Sequence, residues 1–532
     1  MCAMKHRIGE PYTLAGDRMV FTDWRYILPP SFSWRNTEGI DVNVTGTEGP
    51  LDAFFAPRDS AWGIRITARP AERTGPILTP EPPWEADGIN LFTVLEEDGI
   101  YKAWGSTGWG DLNIMDRQKG SRVVCYYEST DGFNWSRPNC GLVEYAGSRN
   151  NNIADLLPGR YFNLWGSVFI DEDAAPAERY KFAVSDCFTE EECRQYLRNR
   201  PNDTDALYDR RDAGLQFGVR GAVSPDGLRW TLLQEPLVLM HEDGPETFSY
   251  DAVQKKYVAY WRDWAADPQT AGANDPLGTR WLRSARRAIG RSETSDFRRF
   301  PLSQLVMEPD PLMPPSQVYY TQCKTLFPHA PDHHLMFPSV WDTATDTTHI
   351  EMSASRDSLL WYKLSQAPVL HTNTSGQWDG GCVFAVPNLL ELPGGDYALP
   401  YVGFDVPHKY PRVQAKKATG YAIWPKGRLA ALEAEEGGFT TVCFIPPGNE
   451  IRINAVTARS GYILIEALNE AGQVLPGCSF EEAVPMFGDL YGAPVRWKNR
   501  TAPDVRPGEA LALRVHMKQA ALYSLDFTQP EE

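Results

Sequence analysis

Carboxylates recur beside short apolar, strand-forming runs of this chain, and their positions carry the first chemical signal. Glu85 and Asp87 stand in Pro83-Trp84-Glu85-Ala86-Asp87-Gly88, shortly before Leu91-Phe92-Thr93-Val94. Asp243 and Glu246 stand in His241-Glu242-Asp243-Gly244-Pro245-Glu246. Asp171 closes Val168-Phe169-Ile170, and Asp379 lies in Trp378-Asp379-Gly380-Gly381. Carboxyl groups from separate segments that converge on one pocket are equipment for general acid–base chemistry, one giving a proton while another takes one. Trp84, Trp165, Trp378 and Tyr320, with Asn163, Gln322, His241 and His408, add aromatic platforms and polar hands for a hydroxyl-rich ligand. Arg262, Arg286, Arg287 and Arg291, with His333 and His334, fit a phosphate, sulfate or carboxylate. Each group also has a plainer reading. Glu85 and Asp87 read as a solvated loop, Asp243 and Asp379 as turn residues, and Glu246 as a strand-end salt bridge. The tryptophans read as core, and the arginines as solvated partners of an acidic surface.

The elements that must position these residues form a repeat. A strand-like run carries an aromatic near its start at Tyr101, Tyr180 and Tyr257, a weaker copy at His334, and a fifth at Tyr397. The spacings are 79, 77, 77 and 63 residues. Turn signals, Glu97-Asp98-Gly99 and Pro393-Gly394-Gly395, precede the first and last copies, and earlier apolar strands complete a hairpin repeated five times. Downstream comes a further strand and a turn of the pattern S-x-D-G-x-x-W, at Ser129–Trp135 and Ser224–Trp230, with Ser358 replacing Gly in Ser355–Trp361. Its Asp accepts backbone N–H groups, its Gly supplies positive φ, and its Trp packs between sheets. Asp131, Asp226 and Asp357 are therefore structural. Four strands per unit and five units describe an all-β, five-bladed β-propeller over residues 76–425. Residues 426–532 read as a C-terminal β-sandwich, and residues 1–75 as an extension bracing the propeller. Glu246 and Asn90 both lie eleven residues before a repeat tyrosine and are read as equivalent inner-strand positions.

Composition narrows the function. The 532-residue chain carries a net charge of −17, which argues against a nucleic-acid partner and against adhesion to an anionic membrane. No apolar run is long enough for a membrane span, and no apolar leader opens the chain, so a cytoplasmic protein is expected unless a leader has been removed. Nine cysteines without a C-x-x-C pair fit neither a zinc site nor a disulfide framework. A phosphate-binding loop, a dinucleotide-binding glycine pattern and a G-x-S-x-G elbow are all missing. These motifs require no cofactor, and a structural calcium is compatible with them. The chain is also compatible with a homo-oligomer.

The propeller with S-x-D-G-x-x-W turns and a following sandwich resembles the glycoside hydrolase superfamily containing families 32, 43, 68 and 117. The W-M-N-D-P-N-G opening and R-D-P triplet of family 32 are absent, which fits a divergent branch. The resemblance implies a carbohydrate substrate and two carboxyl groups from different blades, with base or nucleophile from the first blade and acid from the third. That makes Asp87 the base, with Glu85 as rival, and Glu246 the acid, with Asp243 next. Asp171 is the second-blade candidate for a third, orienting acid. Trp84, Trp165, His241, Arg262, Tyr320, Gln322, Trp378, Asp379 and His408 are the expected substrate contacts. The implied enzyme is an exo-acting glycosidase, with furanoside linkages among the substrates the resemblance suggests. A non-catalytic glycan- or protein-binding propeller and a phosphate-using glycoside phosphorylase remain the alternatives.

Overall fold

The computed structural model describes residues 11–28, 33–35, 41–43, 61–86, 88–109, 121–154, 165–203, 215–240, 244, 246–265, 286–364, 367–409 and 415–529. Among them the chain is nearly all β, with one α-helix, Glu190–Asn199. That helix starts where the sequence supplies a capping box, with Thr189 accepting from the Glu192 N–H and Glu192 accepting from that of Thr189. Two compact units form. One comprises Met1–Arg69, Leu326–His333 and Trp424–Glu532, and the other Pro70–Thr325 and His334–Ile423.

The second unit is built from consecutive antiparallel sheets of four strands. Sheet I holds Asn90–Glu97, Ile100–Trp109, Ser121–Ser129 and Ile153–Ala154 in chain order. Sheet II holds Ser167–Ile170, Tyr180–Thr189, Leu215–Ser224 and Thr231–Leu232, and sheet III holds Thr247–Asp251, Lys256–Ala265, Arg286–Thr294 and Gln304–Met307. In sheet IV each long segment is interrupted once. Its two pieces are Gln317–Thr321, Ser339–Asp342, Thr347–Ile350 and Leu370–His371, and Lys324–Phe327, Ala330–Met336, Ser353–Ser355 and Tyr362–Lys363, of which Leu326–His333 count with the first unit. Sheet V orders Cys382–Ala385, Tyr397–Phe404 and Lys417–Trp424, and takes its last strand, Glu72–Arg73, from a segment that precedes sheet I in the chain.

The sequence repeats act where sheets meet. In the turn after sheet I's third strand, Asp131 accepts from the N–H groups of Phe133 and Asn134, and Ser129 accepts from that of Gly132, whose φ is +77°. The Asn134 N–H bond leads the contacts that hold the Asp131 carboxyl below its ordinary range. Each such turn offers a buried carbonyl to a neighbouring sheet: Tyr421 donates to Gly132 O, Trp104 to Gly227 O and Tyr260 to Ser358 O. A second set of contacts links the first strands. Thr93 Oγ1 accepts from Val168 N at 3.0 Å, Ser167 Oγ from Phe248 N at 3.0 Å and Thr325 Oγ1 from Leu389 N at 3.0 Å. Gln322 Nε2 donates to Tyr260 O at 2.8 Å, and Val94 and the Pro387-Asn388 segment exchange backbone bonds at 2.8 and 3.1 Å. These bonds join the sheets in the order I–II–III–IV–V–I.

One sequence expectation is corrected here. Thr93 pairs with Trp104 and Thr247 with Tyr260, each three residues past a repeat tyrosine. An irregularity between Leu91 and Thr93 then shifts the count, so Phe92 is the counterpart of Glu246, and Asn90 pairs further along, with Ser106.

In the first unit, Glu450–Leu468 and Ala512–Thr528 are the long central strands of a six-stranded sheet. Asp489–Pro494 flanks them on one side, and Ala430–Thr440 then Arg65–Ala68 on the other. Ile451, Ile453, Ile463, Ile465, Leu513, Val515 and Leu525 alternate into its core, as a half-covered sheet requires. Within residues 1–75, Arg18–Val20 and Arg65–Ala68 pair with Ala512–Thr528 and Ala430–Thr440 of the C-terminal sheet, whose core their apolar residues join, while Glu72–Arg73 pairs with Lys417–Trp424 of sheet V.

Candidate functional site

The starting ends of the first strands gather most of the chemistry of the second unit. Glu246 immediately precedes Thr247, the first residue of sheet III, and only 2% of it is exposed. Ser185 of sheet II meets it: the Ser185 hydroxyl bonds Glu246 Oε1 and lies 3.1 Å from the Gly244 carbonyl. A serine hydroxyl has one proton to give. Glu246 Oε1 and the Gly244 carbonyl therefore share the one Ser185 proton. Trp165 lies two residues before Ser167, and Ser185 two residues beyond Ala183, the partner of Ser167.

From Trp165 an aromatic path crosses to sheets V and IV. The Trp165 and Phe384 rings are 5.5 Å apart and nearly perpendicular, Phe384 lies 5.7 Å from Tyr320, and His408 lies 5.4 Å from Phe384. His408 Nε2 and Tyr320 OH are 2.6 Å apart, which orients both groups. The loop carrying His408 is fixed by Asp346, whose carboxylate accepts from Lys409 N at 2.7 Å and from Trp341 Nε1 at 3.0 Å. Cations surround the phenol: Arg287 at 4.5 Å from the ring centroid, Lys409 at 5.5 Å and Arg262 at 6.0 Å. Burial pushes the Tyr320 phenol up, but Arg287, Lys409 and Arg262 outweigh it and bring the pKa down to about 8.

Other expected site residues are placed elsewhere. Glu85 is fully buried and bound by Arg137, whose Nη2 lies 2.9 Å from Oε2, and by Tyr127 OH at 2.9 Å. Trp84 donates to Asn152 Oδ1 at 2.9 Å and meets Tyr145 edge-on. Asp379, also fully buried, accepts from Arg73 at 2.6 Å, Tyr401 OH at 2.9 Å and Asn373 at 3.0 Å, and so ties down the strand that completes sheet V. Trp378 stacks on Tyr401 over Gly403 and Gly420, where a Cβ would collide with its ring. Asp171 sits at the finishing end of its strand, accepting from Tyr257 OH with Lys181 at 3.8 Å. Gln322 is spent on the Tyr260 carbonyl. The proposed arginine group divides: Arg291 pairs with Glu293 at 2.8 Å, Arg286 binds the Pro314 and Gln317 carbonyls, and His333 belongs to the other unit. Asp87, Asn163, His241 and Asp243 lie outside the described residues.

Thus Trp165, Arg262, Tyr320 and His408 are brought together, with Glu246 at the neighbouring seam. The sequence reading missed Ser185, Trp341, Phe384 and Lys409. Lys409 had a signal, its place beside His408; Ser185 and Phe384 look like ordinary strand residues. Among the described residues no group of three or more His, Cys, Asp or Glu side chains is arranged to hold a metal, and no helix is long and apolar enough to cross a membrane.

No protein-family model matches this chain, and no curated protein matches its sequence. Solved structures align with about two thirds of it. A β-1,2-mannobiose phosphorylase from Listeria innocua covers 69% of this chain and 98% of its own, at 12% identity and a TM-score of 0.41. An α-L-arabinofuranosidase from Podospora anserina covers 68% and 98%, at 12% identity and a TM-score of 0.41. A glycosyl hydrolase from Bacteroides ovatus covers 68% and 96%, at 11% identity and a TM-score of 0.40. These likenesses are too remote to carry an activity, so the functional reading rests on the site.

Proposed function

We propose that the chain is a glycoside hydrolase cleaving an oligo- or polysaccharide, with sheets I–V as the blades of a five-bladed propeller. The order of sheet contacts and the return of Glu72–Arg73 to complete sheet V support that architecture. A sandwich-type companion is supported by the 19-residue strand Glu450–Leu468, whose pairing is interrupted between Thr457 and Tyr462.

The observation that carries the reading is Glu246: a buried carboxyl at the start of a first strand, within hydrogen-bond reach of the Ser185 hydroxyl. In this role Glu246 gives its proton to the glycosidic oxygen as the bond to the anomeric carbon breaks, and becomes a carboxylate. Asp87 is the proposed partner that takes a proton from the attacking water, whose oxygen completes the new bond to carbon. Glu85 leaves the candidate pair, because its carboxylate is committed to Arg137 and Tyr127. Trp165 packs in the apolar core against Phe384, and beside it His408 and Tyr320 offer hydrogen bonds to hydroxyls.

Release of product from nitrophenyl glycosides and oligosaccharides, by wild type beside Glu246→Gln, tests the proposal. Cleavage by wild type that falls by roughly 10²–10⁴ in the variant is expected. Equal cleavage by both proteins removes Glu246 from the mechanism, and no cleavage of any glycoside by wild type removes the hydrolase reading.

A further inference from the structure

Arg287 contrasts with several arginines of its unit that hold ion pairs. Arg137 is bound to Glu85, Arg220 to Asp186 and Glu192, Arg291 to Glu293 and Arg73 to Asp379. Arg287 enters no ion pair with a described carboxylate, and its Nη1 is buried with no hydrogen-bond partner among the described residues. Its guanidinium lies instead among rings, 4.5 Å from Tyr320, 5.5 Å from Trp264 and 5.9 Å from Trp341.

Arg262 and Lys409 converge on the same Tyr320 ring, so three positive charges share one region lined by aromatic surface. A buried guanidinium N–H without an acceptor forgoes a charge-assisted hydrogen bond. That deficit vanishes when an oxyanion enters. The depressed Tyr320 phenol is a second sign of the same positive potential, since burial acts on it in the opposite direction. Solubility gives no account of such a group in a chain whose net charge is −17.

We propose that Arg287, Arg262 and Lys409 form an oxyanion subsite beside Tyr320 and His408, receiving either the carboxylate of an acidic sugar or free inorganic phosphate. As a substrate subsite this rests on the glycan-active reading above, and its chemistry is charge recognition by a planar guanidinium fork flanked by two further cations.

Titration calorimetry tests it with three probes: methyl glucuronide, inorganic phosphate and neutral methyl glucoside, each against wild type and Arg287→Gln. Wild type is expected to bind an oxyanion at least tenfold more tightly than Arg287→Gln does, with methyl glucoside unaffected by the substitution. Tighter binding of the glucuronide identifies a sugar carboxylate as the source of the charge, and tighter binding of phosphate identifies the free anion. A second readout is the phenolate absorbance of wild type minus that of Tyr320→Phe, whose midpoint should move to higher pH when the anion binds. Arg287→Lys, which keeps the charge but not the fork, guards against misfolding of the first variant and should bind between the two. Affinity unchanged in Arg287→Gln, or no oxyanion binding to wild type, overturns the subsite. Cleavage of neutral glycosides without oxyanion binding removes only this subsite; oxyanion binding without glycoside cleavage removes only the hydrolase reading.

Discussion

The two ends of the same first strands treat polar groups in opposite ways. At the finishing ends, repeat tyrosines cross to the preceding sheet and find a waiting acceptor. Tyr101 donates to Glu391 O, Tyr180 to Glu97 and Tyr257 to Asp171. Lys102 and Arg179 complete the ring of donors on Glu97. At the starting ends repetition stops. Glu246 stands on sheet III, Trp165 on sheet II and Tyr320 on sheet IV, and Arg287 lacks an ion-pair partner among the described carboxylates. Repeated residues therefore bind the sheets together, while the residues proposed for chemistry are departures from the repeat.

Glu85 sharpens that contrast, because it precedes a first strand yet is bound like a structural residue. Glu85→Gln breaks a buried pair with Arg137 and should cost about 3–5 kcal/mol of stability, read by denaturant unfolding. Turnover per folded molecule should be retained. A large loss of turnover at unchanged stability would place Glu85 back among the reacting groups.

Glu97 gives the next effect, through pH. Burial pushes its carboxyl up, but Lys102, Tyr180 and Arg179 outweigh this and hold the pKa at about 2, against 4.5 for the free side chain. The unfolded chain therefore binds more protons between these values. The Glu97 contribution is present above pH 4.5 and is lost as pH falls towards 2, amounting to about 3 kcal/mol by linkage. Wild type should lose its advantage over Glu97→Gln across that window. Parallel pH profiles for the two proteins would contradict the assignment.

Tyr257→Phe is the smallest of the stability changes. It removes one hydrogen bond to the buried Asp171 carboxylate, at a cost of about 1–3 kcal/mol, with little effect on turnover. Impaired catalysis with normal stability would instead return Asp171 to the site as the orienting acid.

The repeated half of this structure was legible in the sequence, and the reason is physical. Tyrosine and the S-x-D-G turn recur because the same inter-sheet bond has to be made again, so their spacing survives in the chain. The hydroxyl contacts of Thr93, Ser167 and Thr325 recur too. They escaped notice because serine and threonine interchange there, and irregular first strands disturb the counting. The site was legible only as a set of candidates. Glu85 and Asp379 stand beside tryptophans as binding residues do, but their partners Arg137 and Arg73 lie 52 and 306 residues away. Only the fold reveals those pairings. Conversely, Lys409 and Trp341 carry no pattern, and a common carboxylate, Asp346, brings them to Tyr320 and His408.

The most direct test of Glu246 compares leaving groups. Dinitrophenolate departs without protonation, whereas a sugar alcohol needs a proton from the acid. If Glu246 is that acid, Glu246→Gln should lose roughly 10²–10⁴ in cleavage of a natural disaccharide linkage and far less in cleavage of the matching dinitrophenyl glycoside. Equal losses on the two substrates would contradict the role of Glu246 as proton donor.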